Sequence, residues 1–370
     1  MPFLAIQVSL AKVALSLQAL LLLVAQIQAE PVKNANLVPV VQRSLSGITT
    51  TLRGLGTQLA ATSNVGTTMT SPARPPATPA TEPPAFETLN TAARAATVNI
   101  LCTTNTNGPV RPISGSGVII DPRGVILTNA HVAQYFLLKD YQGQNSLECV
   151  IRAGSPAVPA YRARLLYISP AWVATNVNLI RESHPTGTGE DDFALLQITS
   201  TFRGEAISTP LPYVPFDPTF VNPPVNDPVL LASYPAELTG GILVLKSLDQ
   251  VSSVTKLSKG YYFHDNGKDH LDLIEVSGSL LSQGGSSGGG VVRLLDGKLI
   301  GIIVTTTTAA NTSERELFAL TASHIGRRFR EQQGISLSDY FATDLSLQAQ
   351  AFEANVAPRL RSLLLRALGL

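Results

Sequence analysis

The stretch that decides the fold is residues 115–132, which read GSGVIIDPRGVILTNAHV. Two short runs of Val, Ile and Leu flank Asp-Pro-Arg-Gly at residues 121–124, and Pro and Gly in such a place are typical of a tight turn. The pattern therefore predicts a strand, a turn and a second strand. Because His131 follows the second strand at once, we expect its ring at the end of a rigid hairpin, free to face a cleft.

Strand-length apolar runs of the same kind recur across residues 86–334, separated by Gly, Pro, Asn and Asp. Examples are FALLQI at residues 193–198, PVLLASY at residues 228–234 and KLIGIIV at residues 298–304. Short strands at this spacing favour an all-β barrel or sandwich over alternating strand and helix units.

The C-terminal part of the chain has a different pattern. Residues 321–333 have helical periodicity, and residues 335–370 are predicted to form a helical tail. Within the tail, residues 358–370 place four leucines on one helical face, with Arg359 and Arg366 opposite. Two interpretations of this basic amphipathic helix stay open: it docks on the β domain, or it touches a membrane surface.

The N-terminal part is predicted to lie outside the folded domain. Residues 1–29 carry one charge, Lys12, and then an apolar run that is short for a bilayer span. This is typical of a signal peptide, and an uncleaved membrane anchor is the alternative. Residues 30–85 are rich in Thr, Ala, Ser and Pro, which predicts a disordered linker. We therefore expect an exported protein, secreted or anchored at the membrane by its N-terminal segment.

Charge and cysteine content exclude several classes of protein. The 370 residues carry 27 basic and 26 acidic groups, and this balance gives no basic field for the phosphates of nucleic acid. Two cysteines are too few for a disulfide-dense mini-protein or a four-sulfur zinc site. The histidines other than His131 lack metal-ligand spacing, so no metal is expected. For Cys102 and Cys149, a disulfide and two buried free thiols are both open.

Two further segments contain candidate catalytic residues. The first, with acidic residues, follows His131 in the chain, and the second, with serines, follows the first. Residues 190–198 read EDDFALLQI, an acidic pair that runs directly into a strand. Residues 283–292 read QGGSSGGGVV, and the apolar residues after them place the glycines inside a β domain rather than in a flexible linker. Such glycines allow a tight turn whose backbone N–H groups converge.

These segments resemble the motifs of chymotrypsin- and trypsin-like serine proteases. TNAH at residues 128–131 is similar to the family's histidine motif, and Asp192 matches its aspartate before an apolar-Ala-Leu-Leu sequence. Asp191 is the fallback, one residue out of register. Residues 285–289 fit G-x-S-G-G with Ser287 as the nucleophile. The resemblance implies two antiparallel six-stranded β-barrels, with a trypsin-like domain over residues 86–334 that needs no cofactor.

The resemblance also implies roles for other residues. The backbone amides of Gly285 and Ser287 would form the oxyanion hole. In the family, the base of the primary pocket lies about six residues before the nucleophile, which is Leu281 here. The pocket wall follows the last barrel strand, which here gives Val304, Thr305 and Thr306. Because none of these residues is acidic, we expect small or medium aliphatic side chains at the cleaved position rather than Arg or Lys.

Departures from the zymogen-type enzymes bring the chain nearest to the Deg/HtrA-type bacterial peptidases. No Ile-Val-Gly-Gly activation sequence precedes the first strand, and Ser286 stands where zymogen-type enzymes need an aspartate. Val132 replaces the cysteine that commonly follows the histidine. Residues 335–370 are too few for the PDZ domain that many Deg/HtrA enzymes carry.

The sequence therefore predicts a serine endopeptidase that hydrolyses peptide bonds of exported proteins or peptides. Its partners are protein or peptide substrates, with a membrane tether only through the N-terminal segment, and the sequence specifies no oligomeric state. Two alternatives stay open: a binding module that keeps the protease fold without activity, and an esterase on the same scaffold.

Overall fold

A computed structural model describes residues 84–370, apart from short stretches at residues 105–107, 145, 183–188, 208–209, 221, 239–242, 265–269, 278–280, 282 and 307–315. The predicted signal or anchor segment and nearly all of the predicted linker, together residues 1–83, lie outside the described residues. None of the helices in the described part has the length and apolar character that a bilayer span requires.

Six antiparallel strands close the first barrel, in the order β1-β2-β3-β6-β5-β4. The strands are β1 (Thr97–Thr104), β2 (Ile113–Asp121), β3 (Val125–Thr128), β4 (Leu147–Ala153), β5 (Val158–Ile168) and β6 (Ala194–Thr201). Apolar residues from these strands, among them Ile100, Ile126 and Leu196, are fully buried in its core.

A second closed antiparallel barrel repeats the same strand order, β7-β8-β9-β12-β11-β10. Its strands are β7 (Pro228–Ser233), β8 (Val251–Tyr261), β9 (Leu273–Ser277), β10 (Gly290–Arg293), β11 (Leu299–Thr306) and β12 (Glu316–Thr321). A separate cluster that includes Val229, Leu257 and Ile300 fills its interior. The prediction of two antiparallel six-stranded barrels is confirmed.

The hairpin predicted from residues 115–132 is formed by β2 and β3. Gly124 donates its N–H to the Asp121 carbonyl at 2.9 Å and has a φ of +85°, a conformation that residues with a Cβ adopt only at a cost. The Asp121 carboxylate accepts hydrogen bonds from the backbone and guanidinium of Arg123. This turn sets the length of β3 and therefore the point at which His131 leaves the sheet.

Helices surround the barrels. The α-helices of the described part are α1 (Phe86–Ala96), α2 (Ala130–Ala133), α3 (Pro170–Thr175), α4 (Leu243–Lys246), α5 (Ala322–Gln333), α6 (Leu337–Ala342), α7 (Leu345–Asn355) and α8 (Ala357–Leu368). Short 3-10 helices span Gln134–Leu138, Val177–Arg181 and Ala236–Leu238. The Thr321 hydroxyl caps α5 at its start, and Gly334 ends it with a φ of +74°.

The C-terminal tail packs against the protein. Helix α8 buries Leu360, Leu364 and Leu368, which lie on the face predicted from the sequence. Its Arg361 donates from Nε to the Leu137 carbonyl at 2.7 Å, in the 3-10 helix that directly follows α2. Of the two interpretations of this tail, docking on the β domain is therefore the one observed.

Cys102 on β1 and Cys149 on β4 are partners in the register of the first barrel and are joined by a disulfide. The bond closes a sequence separation of 47 residues. Of the two alternatives that the sequence leaves open, the structure therefore has the disulfide. Disulfides of this kind persist in oxidising compartments.

Candidate active site

His131 lies in the short helix α2, three residues after β3 ends. The residue is 1% exposed, and both its backbone and its ring contact Asp192. The His131 N–H donates to Asp192 Oδ1 at 2.9 Å, and its Nδ1 lies 2.7 Å from Asp192 Oδ2. Because an ionised carboxylate only accepts hydrogen bonds, Nδ1 carries the proton and Nε2 is left as the acceptor.

The two aspartates before β6, Asp191 and Asp192, contact different partners. The side chain of Asp192 is completely buried against His131, and Asn129 donates to the Asp192 carbonyl at 2.9 Å. Asp191 instead accepts two hydrogen bonds from the Arg328 guanidinium, at 2.8 and 2.9 Å. This pairing raises the pKa of Arg328 above its ordinary value. Asp192, and not the fallback Asp191, is therefore the carboxylate that the fold brings to His131.

The glycine-rich segment before β10 forms a tight turn. Gly285 and Gly288 have φ values of +94° and +85°, so two of its residues occupy the left-handed region. Ser287 is half-buried in this turn. Its neighbours use their backbone N–H groups within the protein: Gly284, Ser286, Gly288 and Gly289 all donate to acceptors. Within the described residues, the N–H groups of Gly285 and Ser287 have no acceptor.

Ser116 on β2 holds this turn against the first barrel. Its N–H donates to the Ser287 carbonyl at 2.7 Å, and its hydroxyl donates to the Gly285 carbonyl at 2.8 Å. The Ser116 carbonyl in turn accepts from the hydroxyl of Thr128, three residues before His131. The fold therefore brings the Ser287 turn beside the histidine segment. No hydrogen bond between Ser287 Oγ and the His131 ring occurs in the described part, and in free enzymes this bond often tightens only with substrate.

Two residues of this site escaped the sequence-based prediction. Ser116 is one, and the only signal for it is its position within the quoted hairpin. Glu237 is the other: its N–H donates to the Gly284 carbonyl at 3.0 Å, and its carboxylate accepts from the Gly284 N–H at 2.8 Å. Both residues fix the turn from outside, so they hold the backbone around Gly285 and Ser287 in place.

The residues predicted to form the primary pocket lie in or beside the second barrel. Leu281 is fully buried in its core, and Val304 on β11 is fully buried as well. Thr305 and Thr306 pair with β12, but their side chains lie outside the described part. A cleft of about 290 Å³ opens elsewhere, next to the acidic pair, and is lined by Ala171, Trp172, Thr175, Asn176, Glu190 and Asp191.

The histidines other than His131 differ in burial and in their contacts. His264 is exposed and pairs with the Glu190 carboxylate at 3.0 Å. His324 is buried and contacts Asp272. His184 lies outside the described residues. The described part of the chain contains no cluster of His, Cys, Asp and Glu that could hold a metal ion.

Two proteins of known structure align with this chain in fold at low sequence identity. The active form of the Rv3671c protease from M. tuberculosis aligns with 15% identity and a TM-score of 0.40, over 72% of this chain and 94% of that one. Deg5 aligns with 17% identity and a TM-score of 0.43, over 67% of this chain and 94% of that one. No curated protein matches by sequence. The family model of the trypsin-like peptidase domain matches residues 115–302, about half of the chain, so this chain belongs to the trypsin-like peptidases and is a serine peptidase.

Proposed function

We propose that this protein is a serine endopeptidase in which Ser287, His131 and Asp192 form a catalytic triad. The observation that carries the proposal is the buried contact of 2.7 Å between His131 Nδ1 and Asp192 Oδ2. It lies beside a glycine-rich turn in which two backbone N–H groups have no acceptor among the described residues. A histidine oriented by a carboxylate next to a serine on such a turn is the arrangement that acyl transfer requires.

In the proposed reaction, Ser287 Oγ attacks the carbonyl carbon of a peptide bond while His131 Nε2 takes the hydroxyl proton. The tetrahedral intermediate then collapses, the C–N bond breaks, and His131 returns the proton to the leaving amine. Water repeats the same steps on the acyl-enzyme, so Ser287 is regenerated and a carboxylic acid is released. The reaction needs no cofactor.

The hydrogen bonds of Asp192 determine the orientation of the histidine. One carboxylate oxygen accepts from the His131 N–H and the other accepts from its ring, which fixes both the rotation and the tautomer of the imidazole. When His131 takes the serine proton, the same carboxylate stabilises the imidazolium. An Asp192→Asn variant should therefore lose about 10⁴-fold in kcat.

The amides of Gly285 and Ser287 are the proposed oxyanion hole. The alternation along the turn supports this role, because the neighbouring N–H groups donate to acceptors in the protein, whereas these two have none in the described part of the chain. Donors that are already held in place stabilise the negative charge on the carbonyl oxygen without reorganisation during the reaction.

Export and cleavage preference complete the proposal. The disulfide between Cys102 and Cys149 and the apolar N-terminal run both support a protein that works outside the cytoplasm, on exported proteins or peptides. We further propose the Deg/HtrA type of enzyme, with small or medium aliphatic residues at the cleaved position. Preferential cleavage after Arg or Lys in a digest of a peptide library would contradict this preference.

The test is covalent labelling of the purified protein with a fluorophosphonate, together with hydrolysis of an unfolded protein substrate. We expect the wild type to label and to degrade the substrate, and Ser287→Ala to do neither. The matched control is Ser286→Ala, which removes the adjacent buried hydroxyl, to which Ser233 donates a hydrogen bond. This variant should keep both activities.

The same experiment separates the alternatives. A wild-type protein that does not label but binds unfolded polypeptide would be a binding module with the protease fold. Labelling with hydrolysis of esters alone, and none of peptides, would indicate an esterase. Either result would refute the proposed endopeptidase.

A further inference from the structure

A second buried imidazole lies next to the acidic pair, on helix α5. His324 is 2% exposed, and both of its ring nitrogens contact oxygen atoms. Nδ1 lies 2.8 Å from Asp272 Oδ1, and Nε2 lies 2.6 Å from the backbone carbonyl of Glu190. The ring of Phe263 packs edge-on against the imidazole, with 5.1 Å between the ring centroids. His324 therefore connects a residue of the second barrel with the segment that leads into β6.

Both oxygen atoms that face this ring are acceptors. Burial alone would raise the pKa of Asp272, but hydrogen bonds from His324 and from the Phe263 N–H, together with the charge of Arg327, lower it below its ordinary value. Asp272 is therefore an ionised carboxylate at neutral pH, and the Glu190 carbonyl has no proton to donate. A neutral imidazole has one donor and one acceptor, whereas the imidazolium has two donors. Only the imidazolium satisfies both contacts.

Helix α5 holds the acidic segment at two consecutive residues. His324 binds the carbonyl of Glu190, and one helical turn later Arg328 binds the carboxylate of Asp191 with two hydrogen bonds. Gln332, a further turn along, donates to the same carboxylate at 2.9 Å. The next residue in the chain is Asp192, so the helix fixes the backbone immediately before the carboxylate that orients the catalytic histidine.

We propose that His324, as an imidazolium, is a positioning residue for Asp192 and thereby makes the activity depend on its own protonation. This inference rests on the proposed triad and deepens it. Loss of the second proton breaks one of the two hydrogen bonds of the ring. The hydrogen bond to the Glu190 carbonyl is the weaker of the two, because the acceptor of the other bond, Asp272, carries a full charge. Release of Glu190 lets Asp192 shift relative to His131.

Several charged and titratable groups surround this ring and enter the pH dependence. Asp272 faces Nδ1 and also binds Arg327, which contributes a fixed positive charge. Glu190 presents its carbonyl to the ring, while its carboxylate lies near two other side chains. The groups on that outer side are His264 at 3.0 Å and Arg328 at 3.7 Å from the Glu190 carboxylate.

The test compares His324→Gln with the wild type in steady-state peptide hydrolysis between pH 5 and pH 10. Glutamine cannot donate to both Asp272 and the Glu190 carbonyl as the ring does. We therefore expect kcat to fall about ten- to a hundredfold at neutral pH, with little change in KM. The pH profile of the wild type should show a basic limb, in which activity falls as the pH rises. The profile of His324→Gln should lack this limb. A role in stability alone would lower the unfolding midpoint and the active fraction without changing the shape of the pH profile.

The matched control is His264→Gln. His264 contacts the same residue, Glu190, but through the carboxylate and at an exposed position. This variant should keep kcat within about twofold of the wild type and keep the basic limb. Equal losses in the two variants would refute the special role of His324.

A second measurement needs no variant of His324. In the wild type labelled with ¹⁵N-histidine, His324 should give nitrogen resonances of a doubly protonated ring at pH 7, assigned by replacing each of the other four histidines with glutamine. Resonances of a neutral ring would overturn the inference, as would superimposable pH profiles for wild type and His324→Gln. Failure of the wild type to label with fluorophosphonate, or activity that survives Ser287→Ala, would instead refute the triad itself.

Discussion

Replacing Gly288 with alanine is the most direct test of how the turn that contains Ser287, the proposed nucleophile, packs against the first barrel. A Cβ at this position would lie 2.0 Å from the Ser116 carbonyl and 2.5 Å from Thr128 Oγ1, and the residue has a φ of +85°. The backbone conformation alone costs about 1–2 kcal/mol. Relief of the overlap adds about 1–3 kcal/mol, because the nearest atom belongs to a barrel strand and the turn has to move instead. We therefore expect unfolding in urea to show a loss of about 2–5 kcal/mol.

The same displacement should reach Ser287, since Ser116 also holds its carbonyl. Fluorophosphonate labelling of Gly288→Ala should therefore slow at least about tenfold. Gly334→Ala is the control: Gly334 also has a positive φ, +74°, but its Cβ would have no neighbour within 4 Å. The free energy of unfolding of Gly334→Ala should fall only by the cost of the backbone conformation, about 1–2 kcal/mol. This variant should be labelled at the wild-type rate. Equal stability losses in the two variants, with normal labelling by Gly288→Ala, would refute this account of the turn.

Three further predictions concern stability. Removal of the disulfide by replacing Cys102 and Cys149 with alanine should lower the free energy of unfolding by about 3–4 kcal/mol, measured in urea without reductant. Leu364→Ala, in the completely buried face of α8, should cost about 2–5 kcal/mol, whereas Leu347→Ala, at a residue 62% exposed, should change stability by less than about 0.5 kcal/mol. Burial alone would raise the pKa of Asp121, but its hydrogen bonds with Arg123 outweigh burial, and the pKa in the folded protein lies below its unfolded value near 3.8. The stability that the Asp121 carboxylate contributes is therefore present above pH 3.8 and is lost as the pH falls through the lower folded value. Asp121→Asn should therefore be less stable than the wild type by about 0.5–1 kcal/mol at pH 7 and indistinguishable from it at pH 2.

The residues of the proposed triad could be predicted because each lies in a local sequence pattern. His131 comes just after an apolar strand pattern, and in the structure it lies three residues beyond the end of β3. Ser287 lies among glycines inside a β region. Asp192 is preferred over Asp191 because it matches the family's aspartate directly before an apolar residue, here Phe193. In an extended segment, Asp191 would point to the opposite side. The structure has this split, with Asp192 toward His131 and Asp191 toward Arg328.

The supports of the site could not be predicted, because they are contacts between distant parts of the chain. Ser116 binds Gly285 across 169 residues, and His324 binds Glu190 across 134 residues. No local pattern indicates which histidine or serine makes such a contact. The role of Leu281 in the primary pocket stays a prediction from the family resemblance. Its burial in the core of the second barrel depends on how that barrel packs, which no local pattern shows.

The two barrels contribute different parts of the proposed site, so its geometry depends on the contacts between them. His131 and Asp192 belong to the first barrel, whereas the Ser287 turn belongs to the second. Ser116 ties that turn to the first barrel, and His324 ties the Asp192 segment to the second. A site of this kind has to be held within about 0.5 Å. Each of these contacts therefore joins residues of different barrels. A shift of one barrel against the other would displace Ser287 and Asp192 together.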